Sequence, residues 1–328
     1  MSALMGVNLG GWLVVEKWIT PSLFEGIKAT NHYQLETNKT GRIRLKKHFE
    51  SFITETDIQW LHEVGVELLR VPFGHWLFGG EPYQASIKQL DWLVEITKKY
   101  DMQVLLDMHA AVGAQNNRAH SGSGNRANDN LWLNTLDWQD KTIDVLVQIA
   151  KRYNDQSHIW GIELLNEPRI DATGLKLIDF YRRAYKEITK VARPGTRIVF
   201  SDAFTPLLTV NAFGWLAKRD YPVVIDTHIY YCFGKKNKQR AIDEQTSRAR
   251  WSRWYIQLLS VFQPVLVGEW SGMLPYRTTE AKTSSFLRAQ QESYRHAAAW
   301  CYWTYKTEDT GRWNFRDMVE RNKLRLLQ

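Results

Sequence analysis

The sequence predicts an α/β protein, a (β/α)8 TIM barrel forming a single domain over residues 1–328. Short β-branched or aromatic runs alternate with amphipathic stretches of ten or more residues, a pattern typical of βα units around a parallel sheet. Eight such runs occur along the chain, and no linker rich in Pro, Gly or Ser divides it. Its 328 residues also suit a barrel, since α/β barrels form single domains of about 250 residues or more.

The predicted strands are mostly continuous apolar runs, as expected for strands buried on both faces. They span Met5–Leu9, Glu67–Val71, Gln103–Asp107, Trp160–Leu165, Arg197–Ser201, Val223–Thr227, Val265–Gly268 and Ala299–Trp303. An open, doubly wound sheet is the alternative architecture. No G-x-G-x-x-G motif follows the first strand into a helix, which counts against a dinucleotide-binding sheet.

Apolar residues spaced by three and four positions predict helices between the strands. The predicted helices are Thr56–Val64 with Thr54 as its cap, Ser86–Tyr100, Gln139–Tyr153, Leu175–Val191, Asn211–Arg219, Ala241–Leu259, Thr279–His296 and Phe315–Leu326. Long loops are expected over Gly10–Glu50 and His109–Asp137. Such loops at the carboxyl ends of barrel strands usually carry function.

Composition is typical of a soluble globular protein, with 44% hydrophobic and 24% charged residues. No apolar run approaches the ~20 residues that cross a bilayer, so no membrane span is expected. The first residues lack a basic segment followed by an apolar one, which predicts a cytoplasmic protein without a signal peptide. Cys232 and Cys301 are too few for a disulfide framework and are expected to be small buried apolar residues.

The chain carries a net charge of +8, which raises the possibility of a nucleic-acid or anionic-surface partner. The basic residues are most concentrated between Lys235 and Arg253, but Asp243 and Glu244 interrupt them. This stretch is therefore interpreted as a solvated helix face, and no nucleic-acid partner is expected. The 15 Trp residues fit either a large core or flat faces for stacking on sugar rings.

Polar and aromatic side chains follow most of the predicted strands. Because the carboxyl ends of barrel strands converge on one mouth, these side chains are expected to meet there. They are Arg70, His109, Glu167, His228, Glu269 and Trp303.

Two of these residues, Glu167 and Glu269, are carboxylates that directly follow buried apolar runs. A buried carboxylate without a partner costs several kcal/mol, so both need basic or hydrogen-bonding neighbours. A pair of carboxylates is what glycoside cleavage requires, one to protonate the leaving oxygen and one to attack or to activate water. Chain order alone leaves these two roles open. Glu163, inside the fourth strand, is interpreted as a barrel-interior residue paired with Arg70 or His109, and Asp107 and Asp226 are interpreted as structural.

Five strand-end motifs then carry a family resemblance that covers nearly the whole chain. The motifs are Leu-Leu-Arg70-Val-Pro, Leu-Asp-Met-His109, Leu-Leu-Asn166-Glu167-Pro, Thr-His228-Ile-Tyr230 and Val-Gly-Glu269-Trp. With these motifs in this order, the sequence resembles glycoside hydrolase family 5, whose barrels carry a glutamate at the ends of strands four and seven. The segments Gly6–Gly26, His109–Asn116 and Trp300–Asp309 are similar to the exo-β-1,3-glucanase branch of that family.

The resemblance implies a role for each matching position around the cleaved bond. It implies that Glu167 is the acid/base and Glu269 the nucleophile. Asn166 matches the residue that holds the sugar 2-hydroxyl, and Arg70 and Tyr230 match groups that orient the nucleophile and keep it ionised.

The resemblance further implies a pocket for the sugar. His109 and His228 match sugar- and glutamate-binding histidines, and Trp303 matches the aromatic floor under the cleaved sugar. Glu16 matches a hydroxyl-binding residue at the blind end, although a surface pair with Lys17 is its alternative. Phe233 matches one side of an aromatic entrance clamp, and a core position is its alternative.

The chain departs from this branch just after the loop His109–Asn116. An aromatic and two acidic or amide residues usually follow there, whereas this chain has Arg118, Ala119 and His120. The departure affects the expected entrance clamp, the pocket depth and the linkage preference.

Taken together, the residues and the resemblance predict a retaining β-glycoside hydrolase, an exo-acting β-glucosidase or exo-β-1,3-glucanase. Its expected partner is a β-linked glucoside or gluco-oligosaccharide, and no metal or other cofactor is expected. Two alternatives stay open. One is the same mechanism on other β-glucosides, such as β-1,4-gluco-oligosaccharides or lipid and aryl glucosides, and the other is a carbohydrate-binding barrel without catalysis.

Overall fold

The computed structural model describes residues 3–123, 131–205 and 220–326. Eight parallel strands form a closed barrel in chain order, with the last strand paired to the first. The strands are β1 (Leu4–Asn8), β2 (Leu68–Gly74), β3 (Gln103–Ala110), β4 (Ile159–Glu163), β5 (Arg197–Ser201), β6 (Val223–Ile229), β7 (Val265–Trp270) and β8 (Ala299–Tyr302). The predicted (β/α)8 architecture is confirmed, and an open doubly wound sheet is excluded.

The helices in the described ranges lie where the apolar spacing predicts most of them. They are α1 (His32–Glu36), α2 (Lys39–Ser51), α3 (Glu55–Glu63), α4 (Ile87–Lys99), α5 (Leu136–Arg152), α6 (Leu175–Ile188), α7 (Lys235–Gln239), α8 (Ile242–Ser260), α9 (Glu280–Tyr294) and α10 (Phe315–Glu320). Thr54 caps α3 as predicted, in a reciprocal capping box with Asp57. The predicted helix Asn211–Arg219 lies outside the described residues.

Two predictions about element bounds are wrong. The segment Gly10–Glu50 is not one loop, because α1 and α2 form within it and are capped by the side chains of Asn31 and Asn38. The fourth strand ends at Glu163, so strand alternation does not continue to Glu167. The chain turns there instead, and Glu167 adopts a left-handed backbone conformation with φ 39°.

The barrel interior is built in layers, because every second residue of a strand points inward. The deepest layer is apolar and includes Leu68, Leu105, Val199, Val224 and Leu266. Two residues further along β2, β3 and β6 lie Arg70, Asp107 and Asp226, which are fully buried. Another two residues along β3 and β6 come His109 and His228. The fold therefore places a charged layer directly beneath the carboxyl-end mouth.

Three features of composition can now be located. Both cysteines are free and buried, as predicted. In the described ranges, no helix is both long and apolar enough to cross a membrane. The basic stretch forms the exposed α7 and the start of α8, where Arg240 pairs with Glu244 and Asp243 pairs with Lys282, in keeping with a solvated face.

Candidate active site

A cavity of about 730 Å³ opens at the carboxyl-end mouth of the barrel. Nine of the ten predicted site residues line it, and the tenth, Arg70, lies buried beneath its floor. The lining side chains are Glu16, Trp18, His109, Arg118, His120, Asn166, Glu167, Phe204, His228, Tyr230, Phe233, Glu269, Trp303 and Trp313. The strand-end residues therefore do converge on one mouth.

Arg70 is the hub of the buried charged layer. Its Nε and Nη2 donate to the two oxygens of Glu163 at 2.8 and 2.9 Å, so the predicted Arg70–Glu163 pair is confirmed. Its Nη2 also lies 3.1 Å from Asp107 Oδ2, and its Nη1 donates to Glu269 Oε1 at 3.1 Å. Burial raises the pKa of Glu163 well above its usual range, while the charge of Arg70 acts to lower it.

Glu269 is held at both carboxylate oxygens. Arg70 Nη1 donates to Oε1, and the Tyr230 hydroxyl donates to Oε2 at 2.8 Å. An irregular register between β6 and β7 brings Glu269 opposite His228, and the His228 Nδ1 lies 3.4 Å from Glu269 Oε2. Burial raises the pKa of Glu269, whereas the charges of His228 and Arg70 act to lower it. The donors thus stabilise the ionised form of a carboxyl that burial alone would protonate.

Glu167 faces Glu269 across the cavity floor. His228 Nδ1 lies 2.8 Å from Glu167 Oε1, and Asn116 Nδ2 donates to the backbone oxygen of Glu167 at 3.0 Å. Burial acts to raise the pKa of Glu167, but the hydrogen bond and charge of His228 bring it to about 2. A left-handed backbone at a residue other than glycine costs about 1–3 kcal/mol and is often found at functional sites. The Asn116 bond helps to hold this conformation.

His228 is held from its other side by Asp226. Its Nε2 lies 3.1 Å from Asp226 Oδ2, and Asp226 Oδ1 accepts the Gly268 amide hydrogen at 2.7 Å. Burial alone would lower the pKa of His228, but the charges of Glu269 and Asp226 raise it well above its usual range. His228 is therefore protonated in the free site and bonds to a carboxylate at each ring nitrogen.

One carboxylate oxygen of Glu167, one of Glu269 and a ring nitrogen of His228 lie within 4.8 Å of one another. These three atoms could in principle hold a metal ion. However, Arg70 and Tyr230 already occupy both oxygens of Glu269, and a protonated His228 has no lone pair to offer. The arrangement suits acid–base and nucleophilic chemistry by the two carboxyls themselves.

Two buried side-chain nitrogens in the cavity wall have no hydrogen-bond partner among the residues that the structure describes. They are Asn166 Nδ2 and His109 Nε2. Arg70 fixes the Asn166 amide through its oxygen at 2.9 Å, and Asp107 fixes the His109 ring through Nδ1 at 2.8 Å. Buried polar groups without partners are costly, so both nitrogens are suited to bind hydroxyls of a ligand, Asn166 Nδ2 as a donor and Nε2 of the neutral His109 ring as an acceptor.

An aromatic side chain completes this wall. The Trp303 ring stacks on the His109 ring at 5.4 Å with an angle of 7° between the planes. Trp303 is 5% exposed and lines the cavity, so its predicted place as a floor is consistent with the structure.

Glu16 lies in the same cavity, and its alternative reading as a surface pair with Lys17 is wrong. The Trp18 Nε1 donates to Glu16 Oε2 at 3.0 Å, while Lys17 reaches the backbone oxygen of Ala29. Burial raises the pKa of Glu16 to about 7, although the charge of His109 opposes this rise. Phe233 is 60% exposed at the cavity mouth, so its alternative reading as a core residue is also wrong.

Some lining residues were not predicted from the sequence. Trp18, Phe204 and Trp313 come from three distant loops, and only the Trp count pointed to unassigned aromatic surface. His120, noted only as a departure, has its Nε2 3.6 Å from Glu167 Oε2 and 2.7 Å from Asn116 Nδ2. Its contact with Glu167 has no signal in the sequence, because it depends on how the loop after β3 folds back.

Comparison with known proteins places this site among carbohydrate-active enzymes. The model of the cellulase family, glycosyl hydrolase family 5, matches residues 27–309. The chain is 30% identical to the probable glucan 1,3-beta-glucosidase A of Aspergillus niger, across 96% of this chain and 85% of that protein. It is 28% identical to the glucan 1,3-beta-glucosidase of Pichia angusta, across 96% and 84%.

Solved structures share the fold. The rutinosidase from Aspergillus niger superposes with a TM-score of 0.83, covers 98% of both chains and is 20% identical. The endoglucanase Cel5A from Thermotoga maritima superposes with a TM-score of 0.62, covers 98% of this chain and 95% of its own, and is 16% identical.

Proposed function

The chain belongs to glycosyl hydrolase family 5 and is an O-glycoside hydrolase, and from this premise we propose that it releases glucose from the ends of β-1,3-linked gluco-oligosaccharides with retention of configuration. The separation of the two carboxylates carries the proposal. Retaining glycosidases hold their carboxyls about 5–5.5 Å apart, whereas inverting enzymes need about 6.5–9.5 Å to admit a water molecule. One oxygen of Glu167 lies within 4.8 Å of one oxygen of Glu269, and this close approach of the two carboxyl groups favours retention.

In the first step, a Glu269 oxygen attacks the anomeric carbon and the bond to the leaving oxygen breaks. Arg70 and Tyr230 support this role, because they hold both oxygens of Glu269 and favour its ionised form. Glu167 protonates the leaving oxygen. In the second step Glu167 takes a proton from water, and the resulting hydroxide releases glucose from Glu269 with the original configuration.

Glu167 must carry a proton to act as the acid, and we propose that His228 supplies it. In the free site His228 is protonated and Glu167 is ionised. His228 Nδ1 lies 2.8 Å from Glu167 Oε1. The proton passes across this contact from His228 to Glu167 as Glu167 protonates the leaving oxygen. His228 then keeps its Nε2 hydrogen on Asp226, so its orientation is unchanged.

The glucose specificity rests on the pocket around the cleaved sugar. We propose that Asn166 Nδ2 and His109 Nε2 bind sugar hydroxyls, since both are buried nitrogens without a partner in the described parts of the chain. Trp303 supplies an apolar face for the sugar ring, and Glu16 accepts hydrogen bonds from sugar hydroxyls at the blind end of the pocket. The β-1,3 linkage is carried over from the names of the two fungal relatives.

A second candidate is the same chemistry on β-glucosides with a planar, non-sugar aglycone. The aromatic lip formed by Phe204, Phe233 and Trp313 favours it, because flat apolar faces bind planar rings as well as sugars. A carbohydrate-binding barrel without catalysis is disfavoured, since such a protein has no need of a buried carboxylate pair with matched donors.

The test is a substrate panel read by early product analysis. β-1,3-, β-1,4- and β-1,6-linked glucose disaccharides, a β-1,3-glucan oligomer and aryl β-glucosides are incubated with the enzyme, and NMR follows the first anomer released. Glucose as the sole early product, in its β form and fastest from the β-1,3 substrates, is expected. A ladder of oligomers would contradict exo action, and initial α-glucose would contradict retention.

Two variants complete this test. Glu269→Gln should reduce turnover by about 10⁴-fold or more, because a neutral amide cannot form the glycosyl ester. Glu187→Gln is the matched control, since Glu187 lies exposed on α6 and pairs only with Lys190 among the described residues. If the wild type cleaves none of the substrates but binds them as well as Glu269→Gln does, the chain is a binding barrel instead.

A further inference from the structure

The lip of the active-site cavity carries a fixed positive charge, and we propose that Arg118 makes the enzyme selective for leaving groups that bear an anion, a carboxylate or a phosphate. This inference rests on the proposed function, because it concerns the aglycone that leaves when the β-glucosidic bond is cleaved. It would make Arg118 a specificity-determining residue.

Arg118 is presented to the cavity from an anchored backbone. Its amide donates to Asn116 Oδ1 at 3.1 Å, and its carbonyl accepts hydrogen bonds from the Ser121 amide and hydroxyl at 3.0 and 2.7 Å. Asn116 in turn bonds to the backbone oxygen of Glu167. The loop that carries Arg118 is therefore tied to the residue proposed as the acid, which fixes the Arg118 backbone relative to Glu167.

Arg118 is exposed, and among the residues that the structure describes no carboxylate pairs with its guanidinium group. No hydrogen bond or ion pair joins the Arg118 side chain to any residue in the described ranges. The carboxylates lining the cavity are Glu16, Glu167 and Glu269, and all three are at least largely buried in its floor. Within the described part of the lip, an anion therefore meets Arg118 without an intervening acid, while the acids below repel an anion from the glucose position.

Two further basic residues follow the cavity-lining Phe233 in sequence. Phe233 lines the cavity, and α7 begins two residues later with Lys235 and Lys236, which are exposed. His120, the other basic side chain on the Arg118 loop, does not share the role. Burial lowers the pKa of His120 to about 4, so its ring is neutral at pH 7.

Aromatic rings that line the cavity offer an apolar surface for the rest of the aglycone. The rings of Phe233 and Trp313 lie 6.1 Å apart at an angle of 33°, and Tyr230 packs against both. Phe204 adds a further exposed ring. Stacking on this surface would hold a planar aglycone while its anionic group pairs with the guanidinium.

The test compares three aryl β-glucosides that differ only at the meta position: a carboxylate, a phosphonate and a neutral carboxamide. The wild type is expected to favour at least one anion over the amide by about three- to tenfold in kcat/KM, as for a partly exposed ion pair. This preference should fall as salt rises, because exposed charges are screened within about 10 Å at 0.1 M. A preference for only one of the two anions identifies the group.

The ratio of kcat/KM for the anionic glucoside to kcat/KM for the neutral carboxamide is then measured in variants. Arg118→Gln should bring this ratio to about one, and Arg118→Lys should retain part of the preference for the anion. Arg118→Glu should bring the ratio below one. Arg193→Gln is the matched control, since Arg193 is exposed in the loop before β5 at the opposite end of the barrel and should leave the ratio unchanged. Equal kcat/KM for all three glucosides in the wild type would overturn the role of Arg118 and leave the glucosidase proposal standing. Failure to cleave any of them would instead count against the proposed function.

Discussion

Tyr230 and Arg70 each hold a different oxygen of Glu269, and only Tyr230 can be altered without breaking the buried charge layer. Tyr230→Phe removes one hydrogen bond to the carboxylate and leaves the ring packing in place. Losing a hydrogen bond to a charged group costs about 1.5–3 kcal/mol, so kcat should fall by about 10- to 100-fold. Steady-state kinetics on an aryl β-glucoside with an unchanged thermal midpoint would check this.

Tyr276→Phe is the matched control for that change. The Tyr276 hydroxyl is buried and has no hydrogen-bond partner within the described part of the chain, so the variant should keep wild-type kcat. If both variants lost activity equally, the Tyr230 hydroxyl would have no special part in the reaction.

Glu16 gives the molecule a specific dependence of stability on pH. Its pKa is raised from 4.5 in the unfolded chain to about 7 in the folded protein, mainly because of burial. Between these values the native state holds a proton that the unfolded state has released. The contribution of Glu16 to the free energy of unfolding is therefore fully present below pH 4.5. As pH rises towards 7 this contribution is lost, by up to about 3 kcal/mol.

The Glu16→Gln variant isolates this effect. The free energy of unfolding of each protein is measured by urea denaturation. From pH 4.5 to pH 7, the value for the wild type should fall relative to the value for the variant. A difference that stayed flat over this window would show that Glu16 is ionised in the folded protein. The subtraction removes other titrating groups, such as His48, whose pKa is lowered to about 4 by burial.

The sequence is informative about single residues where chemistry and strand position coincide. Arg70, Glu163 and Glu269 lie in or at the ends of strands, so alternation and the cost of burying charge were enough to place them together. Glu167 was expected at the same mouth and lies there, but its left-handed backbone was not predicted, because the strand ends four residues earlier and the chain leaves the period of two. The roles of the site residues stay predictions until they are tested by substitution.

At the scale of the elements, β6 and β7 meet through Gly268 and Asp226. The Gly268 amide donates to Asp226, and a Cβ at position 268 would lie well inside contact distance of the same carboxylate. Gly268→Ala should displace Asp226 and, through it, His228. Because a rigid strand pair cannot relax easily, we expect a loss of about 1–3 kcal/mol of stability and a large loss of kcat.

Gly26→Ala is the comparison for that substitution. A Cβ at position 26 has open space, so only the positive φ of 69° opposes it. That change should cost about 1 kcal/mol and leave kcat unaltered. If Gly268→Ala kept full activity, the Asp226–His228 contact would not be needed for catalysis. Chemical denaturation and kinetics measure both variants.

Elements differ in how far the sequence determines them. Strands buried on both faces are continuous apolar runs, so all eight were found, and β5 has the predicted bounds. The helices α1 and α2 were missed because they lie on a loop with little periodic apolar spacing and depend on the caps Asn31 and Asn38. The last helix, α10, stops at Glu320 rather than Leu326, since propensity alone does not fix a terminus.

At the scale of the whole molecule, Asp57 links the first third of the chain to the last third. This side chain accepts hydrogen bonds from the Tyr305 hydroxyl at 2.7 Å and from Lys306 at 2.9 Å, and Arg316 lies 3.3 Å from it. Asp57 belongs to α3, whereas its partners follow β8 and start α10. The contact joins parts of the chain about 250 residues apart.

Asp57→Ala should therefore lower stability strongly. It removes a capping box and leaves Lys306 without its carboxylate, a combination expected to cost about 2–4 kcal/mol and to lower the thermal midpoint by several degrees. Asp155→Ala, at an exposed position, is the control and should leave the midpoint unchanged. Equal midpoints for both variants, measured by differential scanning calorimetry at one scan rate, would contradict this account.

The global architecture was the most predictable feature, because eight buried strands separated by amphipathic stretches leave few alternatives to a barrel. The cavity mouth was the least predictable, since Trp18, Phe204 and Trp313 are brought together by loops without periodic patterns. The extent of one catalytic domain over all residues and the cytoplasmic location stay predictions.

The central claim is that Glu269 forms a covalent bond to the sugar. The most direct measurement is mass spectrometry of the protein after brief exposure to an activated 2-deoxy-2-fluoro-β-glucoside, followed by peptide mapping. We expect an adduct of one fluoroglucosyl group per chain, located on Glu269, and no adduct in Glu269→Gln. An adduct on Glu167, or turnover of ordinary glucosides with inversion and no adduct, would contradict it.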